Sequence, residues 1–186
     1  MTMPMSGDVP SVVTSAPLHD PASCELCSED GGIVLFRHPK LRIVQVDDVL
    51  HPGFCRVIWN THVAELTDLP PADRSLLMMM VCKLEQVMRD TMAPHKINLA
   101  SLGNMTPHLH WHVIPRYEDD AHFPQPVWGQ RQRTTDESLL AGRIARLPAL
   151  HAAILAGCTD RADSADTANP ADSDADPASH TPHALE

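Results

Sequence analysis

His108-Leu109-His110-Trp111-His112-Val113-Ile114-Pro115 sets three histidines at alternate positions of an otherwise apolar run. Successive side chains of an extended strand point to opposite faces. His108, His110 and His112 therefore share one face, and Leu109, Trp111 and Val113 share the other. The apolar set fixes the register, because a slip of one residue would bury the histidines and expose Trp111. One such histidine is readily a satisfied side chain on a half-exposed sheet. Three in alternation point to chemistry, since Thr or Val suits a strand better. Two uses fit. A neutral imidazole can attack phosphorus and split one displacement into two easier ones, while a second imidazole titrating near pH 7 moves a proton. Alternatively, the three rings ligate a transition metal as an all-histidine site. Spacing does not separate the two.

The surrounding chain reads as an α+β domain. Ile33–Phe36, Leu41–Val46 and Phe54–Trp59 are β-branched or aromatic runs bounded by Gly, Pro and Asp. Their short links leave no room for crossovers, so the strands are expected to be antiparallel. A helix is predicted from Asp68-Leu69-Pro70-Pro71 to about Met92, with proline tolerated in its first turn. Its Leu77, Met80, Val81, Leu84, Val87 and Met88 recur at three and four residues and form one core-facing stripe. Lys96–Ala100 is a fourth strand, Leu102-Gly103-Asn104 a turn, and His108–Ile114 a fifth strand that Pro115 ends. Asp136–Ala156 reads as a second helix interrupted near Pro148. The order β-β-β-α-β-β-α gives an antiparallel sheet of about five strands carrying a long helix and a C-terminal helix.

The folded part is expected over 23–157. Residues 1–22 form a flexible Pro-, Ser- and Thr-rich leader, and 158–186 a disordered acidic tail with little apolar surface to bury. The formal charge is -10, of which the tail contributes -6. A mildly acidic body without a Lys/Arg stripe argues against a nucleic-acid backbone as partner. No apolar run is read as long enough for a membrane span, and no secretory signal is legible, so the expected location is the cytoplasm. Five cysteines, an odd number, in such a chain make a disulfide framework improbable. Cys55 and Cys82 read as small apolar side chains within a strand and a helix. Cys24-Glu25-Leu26-Cys27 stands apart. It lacks the βαβ context of a redox pair and reads better as half of a zinc site, the remaining alternative being two cysteines with no ion.

Asn98, Gly103 and the run His108–Pro115 resemble the histidine-triad (HIT) family, whose mark is His-φ-His-φ-His-φ-φ. The likeness extends from about Cys24 to Tyr117, and Asn98–Tyr117 resembles the bacterial branch often described as diadenosine polyphosphate hydrolase-like. It implies that His110 attacks the α-phosphate of a nucleotide, forming a nucleotidyl-histidine released by water or another acceptor. His112 would bind phosphate and assist proton transfer. Asn98, Gly103 and Asn104 would bind the phosphate, and Asp47 falls near the family's ribose-binding carboxylate. A nucleotide substrate, a homodimer and no organic cofactor follow from the same likeness. It also completes the zinc set as Cys24, Cys27, His62 and His108, a closed tetrahedral site of structural type. Two positions depart from the pattern. Met105 lacks the hydroxyl common before the triad, so Asn104 or a backbone amide must substitute, and Phe54 stands where many relatives carry an additional histidine.

The expected activity is cleavage of a nucleotidyl–phosphate or nucleotidyl–amine bond, with dinucleoside polyphosphates or nucleoside phosphoramidates as substrates. A nucleotide-binding regulatory module with little turnover and an all-histidine metal protein are the alternatives. His38, His51, His95, His122 and His151 have no partner at ligand spacing and read as surface residues. Trp128 fits the site mouth, a dimer contact or the core.

Overall fold

The structure is a computed structural model that describes residues 20–162. The expected leader and tail lie outside the described residues except at 20–22 and 158–162. A short helix, α1 (Glu25–Ser28), precedes β1 (Ile33–Arg37), β2 (Leu41–Gln45) and β3 (Cys55–Trp59). Then come α2 (Pro71–Met92), β4 (Lys96–Ala100), β5 (His110–Arg116), α3 (Glu137–Ile144) and α4 (Leu147–Ala162). The five strands form one antiparallel sheet in the order β1-β2-β3-β5-β4. The histidine strand is therefore inserted between β3 and β4, with neighbours on both sides.

Several boundaries differ from expectation. The histidine strand starts at His110 and not at His108, whose amide bonds the Thr106 carbonyl instead of a neighbouring strand. Pro115 does not end the last strand, which runs to Arg116. The pairing with β3 stops at Cys55↔Val113, and beyond it β5 pairs with β4 alone, so a residue without an N–H is accommodated there. The C-terminal helix is two helices. The break falls at Ala145–Arg146, and Pro148 sits in the first turn of α4, where its missing donor costs nothing. Helix α4 also runs past residue 157 to Ala162, and Cys158 on it is buried. Glu137–Thr159 is moreover long and apolar enough, by length and composition, to cross a membrane, contrary to the sequence reading. In the fold this stretch is broken, and Leu150, Ile154 and Cys158 join the core.

Odd-numbered strand residues face the helices. Leu41, Ile43, Val57, Trp59, Ile97 and Val113 pack with the α2 stripe and with α4 in one cluster. The α2 stripe is buried as its spacing predicts. The helix ends at Ala93, in a left-handed conformation directly before Pro94. The opposite face carries Arg42, Val44, Arg56, Ile58, His110 and His112, and α1 covers one end of it through Cys24 and Leu26.

Beyond β5 the chain folds back along this second face, and a buried ion pair holds it there. Arg116 donates to Asp120 through Nε at 2.7 Å and Nη2 at 3.1 Å, to the Asn98 side chain at 2.6 Å and to the Gln125 carbonyl at 2.7 Å. Asp120 also accepts from the amides of Tyr117, His122 and Phe123. Burial alone would raise its carboxyl, but the Arg116 and amide hydrogen bonds outweigh it and hold the group at about 2. A folded value below the unfolded one, near 3.9, adds stability that is full above the unfolded value and disappears as pH falls through the folded one. Asp120→Asn is expected to cost about 3–5 kcal/mol near neutral pH by stranding a buried guanidinium. The gap to wild type should narrow by about 2–3 kcal/mol as pH falls from about 5 to below 2. Urea denaturation across that range measures both effects, and a gap that ignores pH would exclude the ionised pair as its source.

Candidate active site

The strand alternation brings His110 and His112 side by side on the face away from the helices. Both are buried, as is His108. His110 Nδ1 lies 2.5 Å from the His108 carbonyl. A carbonyl only accepts, so Nδ1 carries the proton and Nε2 keeps its lone pair. That nitrogen faces His112 Nε2 at 3.1 Å. The one hydrogen between them belongs to His112, which leaves His112 Nδ1 bare, and that atom is buried without a partner. Burial lowers the pKa of both rings. For His112, desolvation, then His110 and Arg56, brings it down to about 3. For His110 desolvation outweighs the carbonyl contact that favours the charged form. Both imidazoles are thus neutral near pH 7, the state nucleophilic attack requires.

The pair opens onto a cavity of about 340 Å³, within the usual size range of small-ligand sites. Gly103, Asn104, Met105 and Thr106 from the β4–β5 loop, Arg56 from β3 and Trp128 also line it. Phe54 packs at 5.6 Å from the His112 ring and Trp128 at 4.9 Å from it, both as centroid distances. An aromatic ring thus fills the position where a further histidine was expected from the family pattern.

Of the proposed substrate ligands, Gly103 and Asn104 reach this cavity. Asn98 shares the histidine face through its pairing with Ile114, but its side-chain oxygen accepts from Arg116 and it does not line the cavity. Asp47 is exposed and also outside it. The neighbouring Asp48 is the carboxylate with a defined role, accepting from the Leu50 and His51 amides and pairing with His51 Nδ1 at 3.0 Å.

The third histidine faces another cluster. His108 Nδ1 lies 3.4 Å from both Cys24 Sγ and Cys27 Sγ, and His62 Nδ1 lies 3.3 Å from Cys27 Sγ. All four ligand atoms fall within 4.8 Å of one another. Zinc–sulfur and zinc–nitrogen bonds at tetrahedral angles separate S and N ligands by about 3.5 Å, so the donor set fits that ion. His108 Nε2 donates to the Trp59 carbonyl at 2.6 Å, which turns the Nδ1 lone pair toward the cysteines. The all-histidine metal site is not assembled, because His108 joins the cysteines while His110 and His112 face each other.

Of the remaining histidines, expected as surface residues, His95 is exposed, whereas His51 is buried and His38, His122 and His151 are half-buried. His51 is buried, and its Nε2 lies 3.2 Å from His122 Nδ1. With Asp120 they form a second group of ligand-type atoms, but the nearest carboxylate oxygen is 4.0 Å from His51 Nε2 and already accepts from Arg116 and two amides. His151 bonds Gln45, His95 pairs with Glu118, and His38 accepts from the Lys40 amide.

Sequence reasoning missed Arg56 and Thr106 and left Trp128 open. Arg56 has a retrospective signal: it is the charged residue inside the apolar run Phe54–Trp59, and such a charge must face away from the core. Thr106 supplies the cavity with a hydroxyl one position after Met105, whose side chain is 94% exposed.

Residues 28–119 match the family described as HIT domain. AP-4-A phosphorylase from Mycobacterium tuberculosis is 30% identical over 131 residues, covering 65% of this chain and 67% of that protein. A histidine triad protein from Marinobacter aquaeolei superposes with a TM-score of 0.55 at 26% identity, over 70% of this chain and 95% of its own. One from Bradyrhizobium japonicum shares the fold with a TM-score of 0.55 at 24% identity, over 67% and 89% of the two chains. With its alternating histidines on and just before an inner strand of the shared antiparallel sheet, the chain belongs to the histidine-triad family.

Proposed function

We propose that this protein is a nucleotidyl hydrolase or transferase that cleaves at the α-phosphate of a dinucleoside polyphosphate or nucleoside phosphoramidate through a nucleotidyl-His110 intermediate. The observation that carries this reading is the neutral His110 at the cavity wall, whose Nδ1 is tied to the His108 carbonyl while Nε2 keeps a lone pair that accepts from His112 Nε2–H. Likeness to an AP-4-A phosphorylase supports the substrate class.

In the attack, His110 Nε2 bonds to phosphorus and the P–O or P–N bond on the far side breaks, its electron pair going to the leaving atom. The positive charge that develops on the imidazole is stabilised by Nδ1–H donating to the His108 carbonyl. The His112 Nε2–H, released from His110 Nε2, donates to the leaving atom or a phosphoryl oxygen. Water or phosphate then attacks the same phosphorus, the P–Nε2 bond breaks with its electron pair returning to Nε2, and the proton of an attacking water is released to solvent. Donors from Gly103–Thr106 border the same space, where backbone amides can approach phosphate.

A structural zinc ion held by Cys24, Cys27, His62 and His108 belongs to the same proposal. When bound it supplies folding energy by closing α1 onto the sheet. A homodimer is proposed on the family likeness.

Incubation with a dinucleoside polyphosphate or a nucleoside phosphoramidate should add one nucleotidyl mass to the intact protein. His110→Ala should abolish the adduct and lower kcat by several orders of magnitude, and His112→Ala should lower it by about 10²–10⁴. Nucleotide binding with neither adduct nor turnover in wild type would make the protein a binding module instead. Metal analysis of freshly purified protein should find one zinc per chain, lost in Cys24→Ser together with a fall in Tm; protein purified without metal would remove zinc from the proposal.

A further inference from the structure

Arg56 is placed by register rather than by a partner. It pairs with His112 across the β3–β5 ladder, so its side chain lies on the face that carries the histidines. It is half-buried, lines the same cavity as His110 and His112, and is the one permanently charged side chain among the described residues lining it. Its hydrogen bonding is nearly empty. Nη1 makes a long 3.4 Å contact to the Gly31 carbonyl, and Nε is buried with no partner. Among the described residues no carboxylate lies within ion-pair distance, although Glu25 is near enough to favour its charge.

A desolvated guanidinium with unfilled donors is costly. Arg116 and Arg143 in the same chain meet that cost with carboxylates. Among the described residues Arg56 has no such carboxylate, and it lines the cavity in front of His110. The planar fork matches two oxygens of a phosphate, and a water-poor wall strengthens the attraction.

We infer that Arg56 is the anion seat of the site: its guanidinium takes non-bridging oxygens of a phosphate chain whose α-phosphorus faces His110. The ligand class is then a nucleotide carrying a di- or polyphosphate, in preference to a nucleoside or a nucleotide whose leaving group is a neutral amine. The inference rests on the nucleotide reading above and narrows it.

Binding of adenosine, AMP and ADP to the full chain, to Arg56→Gln and to Arg56→Lys tests it, by calorimetry and by the fluorescence of Trp128 at the cavity wall. Wild type should prefer ADP over AMP and AMP over adenosine. Arg56→Gln should weaken ADP by about ten- to a hundredfold and leave adenosine unchanged. Arg56→Lys, which keeps the charge without the fork, should fall between and supplies the measurement if the Gln variant does not fold. Equal losses for adenosine and ADP would overturn the inference by moving Arg56 to the nucleoside, and so would ADP binding that ignores the substitution. Intact-mass detection separates the two readings. No adduct but Arg56-dependent ADP binding sinks the covalent enzyme and keeps the anion seat, whereas an adduct with ADP affinity indifferent to Arg56 does the reverse.

Discussion

The site depends on His108 being held at both ends of its residue. Its ring is fixed by the Trp59 carbonyl on one nitrogen and lies against two thiols on the other, while its own carbonyl accepts from His110 Nδ1. The second contact assigns the tautomer of His110, and therefore which nitrogen presents a lone pair. A rotation of the His108 peptide would free Nδ1 and let the proton move to Nε2, removing the lone pair at that nitrogen without displacing the ring. The four-donor cluster and His110 are thus one mechanical unit, linked through a single peptide group. Structural metal chemistry on this strand would act on tautomer and orientation, not on the reacting atoms.

This arrangement needs a strand buried on both faces. An edge strand would leave the imidazoles hydrated, with pKa values near those of free histidine and a shared population of charged forms. β5 instead lies between β3 and β4, with α2 against one face and α1 and the 117–135 segment against the other. Desolvation is the leading cause of the lowered pKa at all three histidines. Position in the sheet therefore tunes the site before any neighbouring charge does. The Arg116–Asp120 pair extends the effect, since it pins the segment that carries Trp128 to the wall of the cavity.

Much of this was legible in the sequence because it rests on periodicity. Alternation placed the three histidines on one face, the three-and-four spacing placed the α2 stripe, and Leu109 and Val113 are core residues as expected. Trp111 is only half-buried, and its indole nitrogen has no partner. What periodicity cannot carry is contact between distant segments. His51 and His122 are far apart in the chain, and the register that joins them exists only after the sheet has formed. Asn98 was assigned by family position, yet its carbonyl oxygen serves the Arg116 network, whose partners Asp120 and Gln125 have no sequence signature. Asp47 and Asp48 are adjacent in an irregular turn, and it is turn geometry that gives the defined contacts to the second.

The same distinction explains Arg56. A charged residue within an apolar strand run is ordinarily read as the solvent-facing member of an alternating pair, and on a one-sided sheet that reading would be correct. Here the other face is covered as well, so the residue that should have been hydrated faces a ligand cavity with its donors unfilled. An acidic chain of formal charge -10 can hold an anionic substrate on these terms, because a single desolvated cation acts over a few ångströms while the dispersed surface carboxylates are screened by water and salt. Net charge argues against a long polyanion such as nucleic acid and is silent on a short one. The field that a short anion would meet at the histidines is set locally, by one arginine and by burial.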